Sequence, residues 1–352
     1  MEQSTFLRIR RLRSLGHDCR VVSLNKDGGL AAKLQAINVP FTELAYGGPW
    51  GLRIALAAHV AFREQTADCA LMTGHNLMAQ LMLSMVKIKR KVLTIHYHHQ
   101  GVNSRQRWNA IYKSAAMTFD AITFASGFIR DEAVKINPAI ANKTCVLPNP
   151  FELPELFPNS GPLARRIEWG LNPGDEVIGN AGWLIQRKRF DVFLHVCAAV
   201  AARRPNLRVV IAGDGPLRSE LESLARALGL EDRIRWLGWQ SDLSRFYNAI
   251  DILAFNSDWD ALGRTPLEAL AAGTPFVGSV LNGGLAEALP EDYPWFLKHH
   301  DVGRLAQFCC DVLQNREHAK RVALGAREHL VQFSPEEDVK RLLKLLTHPQ
   351  CT

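Results

Sequence analysis

The sequence predicts an α/β protein built from two parallel, doubly wound sheets, each flanked by helices. Short apolar runs fit for buried strands alternate with helical patterns along most of the chain. The alternation stops at Pro148-Asn149-Pro150 and a proline-rich stretch over 154–162, then starts again. The length, 352 residues with 47% apolar and 22% charged side chains, is ordinary for a folded globular protein and enough for two domains. The first domain is placed at 1–152 and the second at 153–334. A C-terminal helix within 335–352 is expected to return toward the first.

The elements follow in order. Phe6, Ile9, Leu12 and Leu15 stand at helical spacing with arginines between them, and Gly16 ends that helix. A strand is expected at 20–24, a helix near 29–37, a strand near 41–44 and a helix over 52–65. Strands follow near 70–72, 92–96, 121–125 and 144–147, with helices between them that include 105–119 and 127–136. The chain thus opens on a helix, whereas the first strand of a doubly wound sheet is usually central and its loop binds ligand. Either the fold begins differently or a strand and its loop are missing from the start.

In the second half, strands at 177–181, 207–212, 234–237 and 252–255 alternate with helices at 190–202, 217–228 and 243–249. Helices near 303–313, 316–331 and 335–345 close the chain. The natural active site of such a pair is a cleft where both sheets present their carboxyl ends.

The stretch 251–287 carries the most chemistry. After the strand comes a loop over 256–264, and then Thr265-Pro266-Leu267-Glu268 reads as a helix start with Thr265 as N-cap and Glu268 completing a capping box. A helix start after a glycine offers unpaired amides and a favourable dipole to a phosphate. Asp260 and Glu268 bracket that place and would repel an anion, so they suit hydroxyl groups on either side of it. A ligand with hydroxyls, a diphosphate and hydroxyls again describes a nucleotide sugar. The plain alternatives are a cap for Glu268 and a solvated loop acid for Asp260.

Other stretches have rivals of their own. Gly213-Asp214-Gly215-Pro216-Leu217 resembles half a dinucleotide fingerprint, but Arg218 replaces the third glycine, so a tight strand-to-helix turn is favoured over NAD binding. Arg187, Lys188 and Arg189 precede a helix, where cations are disfavoured unless an anion sits nearby; the alternative is a basic surface loop. His96 closes a strand, with His98 two residues on. No cysteine or carboxylate joins them, so hydrogen bonding or proton transfer in the cleft is favoured over zinc.

The formal charge of +7 is uneven, with 19 Lys and Arg against 9 Asp and Glu in the first 150 residues. Clusters at residues 8–13 and 87–91 without any nucleic-acid motif suggest an anionic membrane surface, or simply a solvated face. Seven scattered cysteines without a Cys-x-x-Cys pair fit neither a zinc site nor a disulfide framework and suit a reducing cytoplasm. The most apolar short region, 77–86, is too short to span a bilayer. Hydrolase, nucleoside-triphosphatase and metalloprotease motifs are absent.

The segments NAGWLIQRKRFDVFL, LRVVIAGDGPLRSEL, DRIRWLGWQSDLSRFYNAIDILAFNS, SDWDALGRTPLEALAAGTPFV and NGGLAE, in that order, resemble the nucleotide-sugar glycosyltransferases of family 4. Looser similarity runs through LRSLGHDCRVVSL, VLTIHYHH, FDAITFASGFIRDEA and VLPNPF. The resemblance implies the GT-B fold: two Rossmann-like domains facing a cleft, with the donor held mainly by the second. It also implies retaining, hexosyltransferase-like transfer from a nucleotide sugar to a saccharide or lipid-linked acceptor, with neither cofactor nor metal required. Glu268 takes the place of the acid that holds the donor ribose, and Asp260 that of the acid on the transferred sugar. Leu262, Gly263, Arg264 and Thr265 would face the diphosphate beside Gly182 and Lys188, and His96 would lie beside the sugar.

Three departures from the family pattern stand out. Asp260 is one methylene shorter than the usual Glu. Trp183 replaces a phosphate-binding arginine, for which Arg187 would compensate. The chain begins just after the family's first strand and glycine loop, as a late start or truncation would leave it. The implied role is cell-surface polysaccharide biosynthesis in the cytoplasm or at the inner membrane face. The alternatives are a catalytically weak sugar-nucleotide or glycan-binding protein, and an epimerase or phosphorylase of the same fold.

Overall fold

The computed structural model describes residues 2–23, 29–43, 67–96, 104–153, 161–240 and 242–347. The helix expected at 52–65, the histidines after His96 and most of the proline-rich stretch fall outside these residues. The chain divides into two compact units, one of Met1–Glu152 with Gln332–Thr352 and one of Leu153–Val331.

In the first unit a helix at Glu2–Ser14 precedes β1 (Val21–Ser23), which pairs in parallel with β2 (Phe41–Glu43). A second parallel ladder runs in chain order through β3 (Cys69–Thr73), β4 (Arg90–Ile95), β5 (Ala121–Phe124) and β6 (Thr144–Val146). Among the described residues these are two ladders rather than the single sheet that the alternation suggested. Helices at Leu77–Ser84, Ser104–Thr118 and Gly127–Ile136 make the crossovers that parallel strands need. Each start that can be read is chemically sensible: Asn76 accepts the Ala79 N–H at 3.0 Å, and Ser126 accepts the Ile129 N–H at 3.4 Å. Val92, Leu93, Ile95, Ile122 and Phe124 are buried, as a sheet covered on both faces requires.

The opening helix buries a different face from the one its apolar spacing suggested. Ser4, Leu7 and Arg8 are buried, Phe6, Ile9 and Leu12 only in part, and Leu15 is 48% exposed. The reason is electrostatic. The Arg8 guanidinium forks onto Asp338 of the helix Pro335–Thr347, with both nitrogen–oxygen distances at 2.7 Å, and one nitrogen also reaches the Pro148 carbonyl. Phe151 stacks on Phe333 beside this pair and donates its N–H to the Phe333 carbonyl at 3.1 Å.

The surrounding arginines are also engaged. Arg10 meets Glu152, Arg11 lies 3.8 Å from Glu336, and Arg13 lies 3.5 Å from Asp18. Each arginine of the cluster at 8–13 thus has a carboxylate partner. One further correction concerns the cysteines: Cys19, Cys69, Cys197, Cys309 and Cys310 are thiols, but Cys145 on β6 is disulfide-bonded.

The second unit holds one parallel sheet in the order β12-β11-β10-β7-β8-β9. Its strands are β7 (Glu176–Ala181), β8 (Leu207–Ala212), β9 (Ile234–Gly238), β10 (Ile252–Asp260), β11 (Phe276–Gly283) and β12 (Phe296–Leu297). Phe193, Val196 and Val200 of the helix Phe190–Ala201 pack with Cys309 and Leu313 of Val302–Gln314 against Ile178, Val209, Ile211 and Ile252. Each such apolar side chain contributes about 1.5–3 kcal/mol by leaving water. The two-residue β12 is too short to leave a sequence signal.

Two features position the site. The chain winds from β7 through β8 to β9 on one side, then crosses back to β10 on the other, so the carboxyl ends of β7 and β10 flank a topological switch point. And β10 does not stop at Phe255, as expected, but runs on to Asp260. β11 stays beside it through Ser257–Val280, Trp259–Asn282 and Asp260–Gly283. Only glycine permits the last pairing, because a Cβ at Gly283 would lie 1.8 Å from the Asp260 carbonyl oxygen.

Breaking a buried ion pair leaves an uncompensated charge. Asp338→Asn should therefore lower the unfolding free energy by about 3–5 kcal/mol in denaturant titrations, while Arg8→Met with Asp338→Leu should recover most of it. Wild-type stability in the single variant would show that the pair is not holding the two helices.

Candidate functional site

The site grows out of the end of β10. Asp260 is its last residue, and Gly263 turns the chain into the helix Arg264–Ala271 with φ of 76°. That left-handed turn suits glycine, and a Cβ there would also meet Leu285 at 2.9 Å. The expected capping box does not form. Gly263 is the cap, Thr265 is the second helical residue, and the Gly263 N–H is accepted by Asp260 Oδ1 at 3.0 Å. Glu268 turns aside, accepting from the Arg264 guanidinium at 2.6 Å and from the Tyr247 hydroxyl at 3.1 Å.

Leu267 donates its N–H to the Gly263 carbonyl at 3.4 Å, and Pro266 has none to give. The amides of Arg264 and Thr265, in the first helical turn, have no intrahelical acceptor. Unpaired amides at a helix start are the kind of donor that suits an anion.

The loop after β7 comes to meet it. It runs from Gly182 through a single turn at Gln186–Lys188 to Arg189, which enters the next helix at φ of 44°. The Lys188 ammonium pairs with Asp260 and lies 4.7 Å from the centre of the Phe255 ring. Arg187 donates to the Trp259 carbonyl at 3.1 Å, and the Ser257 hydroxyl lies 2.9 Å from the Arg187 and Trp259 carbonyls. Burial would raise the Asp260 carboxyl; Lys188, Arg187 and the Gly263 N–H outweigh it and hold the group below the usual carboxylate value.

Arg187, Lys188, Asp260 and Gly263 thus meet through one set of contacts, and Arg264 and Glu268 pair with each other on the helix that follows. Gly182 lies at the head of the same loop, tied by its N–H to the Ala212 carbonyl at 3.0 Å. Leu262 is buried beside them. His96 belongs to the first unit, where it follows β4 and is 5% exposed.

Sequence reasoning missed a polar chain beneath this loop. Arg189 donates to Asp258 at 3.0 Å, and Asp258 lies 3.1 Å from His300 Nε2. His300 Nδ1 is 2.7 Å from the Ser279 hydroxyl, which reaches the Asn256 side-chain oxygen at 2.8 Å. The one signal was period two, because Asn256, Asp258 and Asp260 recur at alternate positions as strand residues do. Nothing local to His300 announces its partners.

Chemically, the end of β10 and the loop after β7 bring together two cations and two amides, which suit an anion, and two carboxylates with lone pairs left for hydroxyl groups. Trp183 and Trp239, 57% and 73% exposed, stand after β7 and β9 on the same sheet edge. No group of three or more His, Cys, Asp or Glu side chains able to hold a metal stands among the described residues.

Comparison with known proteins adds the following. The family described as glycosyl transferases group 1 matches residues 164–329, and that described as glycosyltransferase family 4 matches residues 1–154. The lipopolysaccharide core biosynthesis glycosyltransferase LpsE of Rhizobium meliloti is 31% identical over 180 residues, 48% of this chain and 49% of that protein. A D-inositol 3-phosphate glycosyltransferase of Saccharomonospora viridis is 32% identical over 227 residues, 61% of this chain and 52% of that protein. The chain spans about half the length of the curated relatives it matches.

Among solved structures, Anabaena Alr3699/HepE in complex with UDP and glucose superposes with a TM-score of 0.82 at 18% identity, covering 99% of this chain and 95% of that one. A glycosyltransferase from Rickettsia africae gives 0.82 at 16% identity, covering 99% and 94%. With one glycosyltransferase family matching most of its first parallel α/β unit and another most of its second, and with those neighbours in fold, the chain belongs to glycosyltransferase family 4 and has the GT-B fold.

Proposed function

We propose that the chain is a retaining glycosyltransferase that takes a sugar from a nucleoside-diphosphate donor and places it on a saccharide or lipid-linked acceptor of a cell-surface glycan. The observation that carries this reading is the meeting of Lys188, Asp260 and the open amides of Arg264 and Thr265 at the β7–β10 switch point. The donor diphosphate binds where these cations and amides converge, and Glu268 accepts from the ribose. As the sugar–phosphate bond breaks, negative charge grows on the leaving diphosphate, and preorganised donors stabilise it without reorganising. No metal is assigned to this step. His96 has a hydrogen-bonding role toward the transferred sugar.

Asp260 acts in two ways. It fixes Lys188 and the Gly263 turn before the donor arrives, and it yields Lys188 to the diphosphate when the donor binds. Names attached to the relatives, which include a lipopolysaccharide core enzyme, support a surface-glycan acceptor. A sugar-nucleotide-binding protein without turnover is the second reading. It is favoured by the exposed Trp183 in place of an arginine and by Lys188 being engaged internally.

The test is a thermal-shift screen against UDP-, GDP- and ADP-sugars, followed by product analysis that reads the anomeric configuration. A retained anomer bears the proposal out, an inverted one overturns the mechanism, and binding without product selects the second reading.

Lys188→Ala should reduce turnover by on the order of a hundredfold or more. Near-native turnover would remove Lys188 from the mechanism. Because the Asp260 carboxyl is held low, what it contributes to the loop is complete above the usual carboxylate value and is lost only as pH falls through its own depressed value. The Gly263 amide resonance should therefore titrate below the ordinary carboxylate range, and in Lys188→Met it should titrate at higher pH.

A further inference from the structure

The loop that brings Lys188 to the site ends on a strained residue. Arg189 has φ of 44°, and among the described residues only it and Asn38 are non-glycine residues with positive φ. A Cβ crowds the next carbonyl in that region, so something outside the backbone must hold the chain there. The guanidinium is the handle. Its Nε and Nη2 lie on Asp191 at 3.0 and 2.9 Å, and its Nη1 reaches Asp258 Oδ1 at 3.0 Å. Asp191 is two residues on in the same helix and ties Arg189 only to its own neighbourhood. Asp258 belongs to β10 and ties it to the sheet.

Asp258 is held from its other side by His300, in the connection between β12 and the helix Val302–Gln314. The ring Nε2 lies 3.1 Å from the same Oδ1 that Arg189 uses. The number of available protons fixes the state of the ring. The Ser279 hydroxyl has one proton and gives it to the Asn256 oxygen at 2.8 Å. The proton between Ser279 and His300 Nδ1, 2.7 Å apart, must then come from the ring. So must the one between Nε2 and the carboxylate, which has only lone pairs to offer. The ring therefore carries both protons and a positive charge, and Asp258 sits between two cations.

The charged groups around the ring are few. From β10 it faces Asp258, with Arg189 and Asp191 beyond, and from β11 it meets the neutral Ser279. Asp301, next in the chain, caps the following helix through the Arg304 N–H at 2.9 Å. Lys298 and His299 are exposed.

We propose that His300, in its doubly protonated form, is a positioning residue for donor binding: through Asp258 and Arg189 it holds the loop after β7 in the strained conformation that presents Lys188. It acts through Asp258, not on the substrate. When the ring loses a proton, either Ser279 turns its hydroxyl from Asn256 to Nδ1, or Nε2 gives up the carboxylate. Either way the bridge loses its second cation. The loop then spends time with Lys188 out of place, and apparent donor affinity falls with the fraction that stays competent. What the loop does for the donor rests on the nucleotide-sugar reading; how the loop is held does not.

The experiment is hydrogen–deuterium exchange of the purified full chain, read at the Lys188 and Arg189 amides, which donate to the Ile185 and Gln186 carbonyls at 3.0 and 3.1 Å. Protection, corrected for the intrinsic pH dependence of exchange, should fall as pH rises and His300 loses its proton. His300→Gln keeps a donor for Asp258 but no charge. Its loop protection should be lower by about tenfold and should no longer follow pH in this way. Amides of β8 should keep wild-type protection, which separates a loosened loop from a loosened fold. Arg189→Gly relieves the backbone while cutting the handle, so it should lose the same protection with a melting temperature near that of the wild type. In calorimetric titrations with UDP, GDP and ADP, the diphosphate that the wild type binds should bind His300→Gln about tenfold more weakly. Wild-type loop protection in His300→Gln, the same pH dependence in both proteins, or an unchanged affinity would each overturn the proposal. Failure of all three diphosphates to bind the wild type would overturn the donor reading instead, with exchange still deciding whether His300 holds the loop.

Discussion

The ion pair between Lys188 and Asp260 is the constraint on which the site depends. It joins the loop after β7 to the end of β10, the two places where the winding of the second sheet reverses. Without a cation from one side and a carboxylate from the other, the reversal would be a gap lined by irregular backbone. With them, the gap has fixed walls. The same carboxylate holds the Gly263 N–H, so one side chain sets both the lysine and the entry angle of the following helix. A short acid is well suited to this, because it can fold back on its own turn.

The close approach of backbones extends that order outward. Gly283 lets β11 run against Asp260, and Ser257 ties the Arg187 and Trp259 carbonyls together from below. Arg189, Asp258, His300, Ser279 and Asn256 then form a polar chain under the loop. Such chains are high-stakes when buried, since each member is costly to leave without its partner. They also fix geometry, and donors held in fixed geometry need no reorganisation to stabilise charge.

Much of this was legible in the residues. Strand and helix periods placed most elements of the second unit, because β7, β8 and the first half of β10 are largely apolar runs buried on both faces. Local chemistry was less well read at 256–268. The polar run Asn256-Ser257-Asp258 looked like a loop, yet period two continued through it and β11 supplied a partner. Thr265 and Glu268 matched a capping pattern, but a left-handed glycine and a carboxylate three residues earlier claimed that end first. On the helix Glu2–Ser14, apolar spacing pointed to Phe6 and Leu12, whereas the buried face is built around Arg8. Its partner lies 330 residues away, and no window along the chain could have contained both.

That distant partner bears on how the protein is made. The helix bearing Arg8 leaves the ribosome early, and the one bearing Asp338 leaves it only after the whole second unit has been translated. The second unit is continuous and can condense as it emerges, while the first must wait with a guanidinium exposed to solvent and its closing helix unmade. The nascent chain therefore matures out of order, middle before ends. During that interval the incomplete first unit is the part of the molecule that a chaperone or a protease would meet.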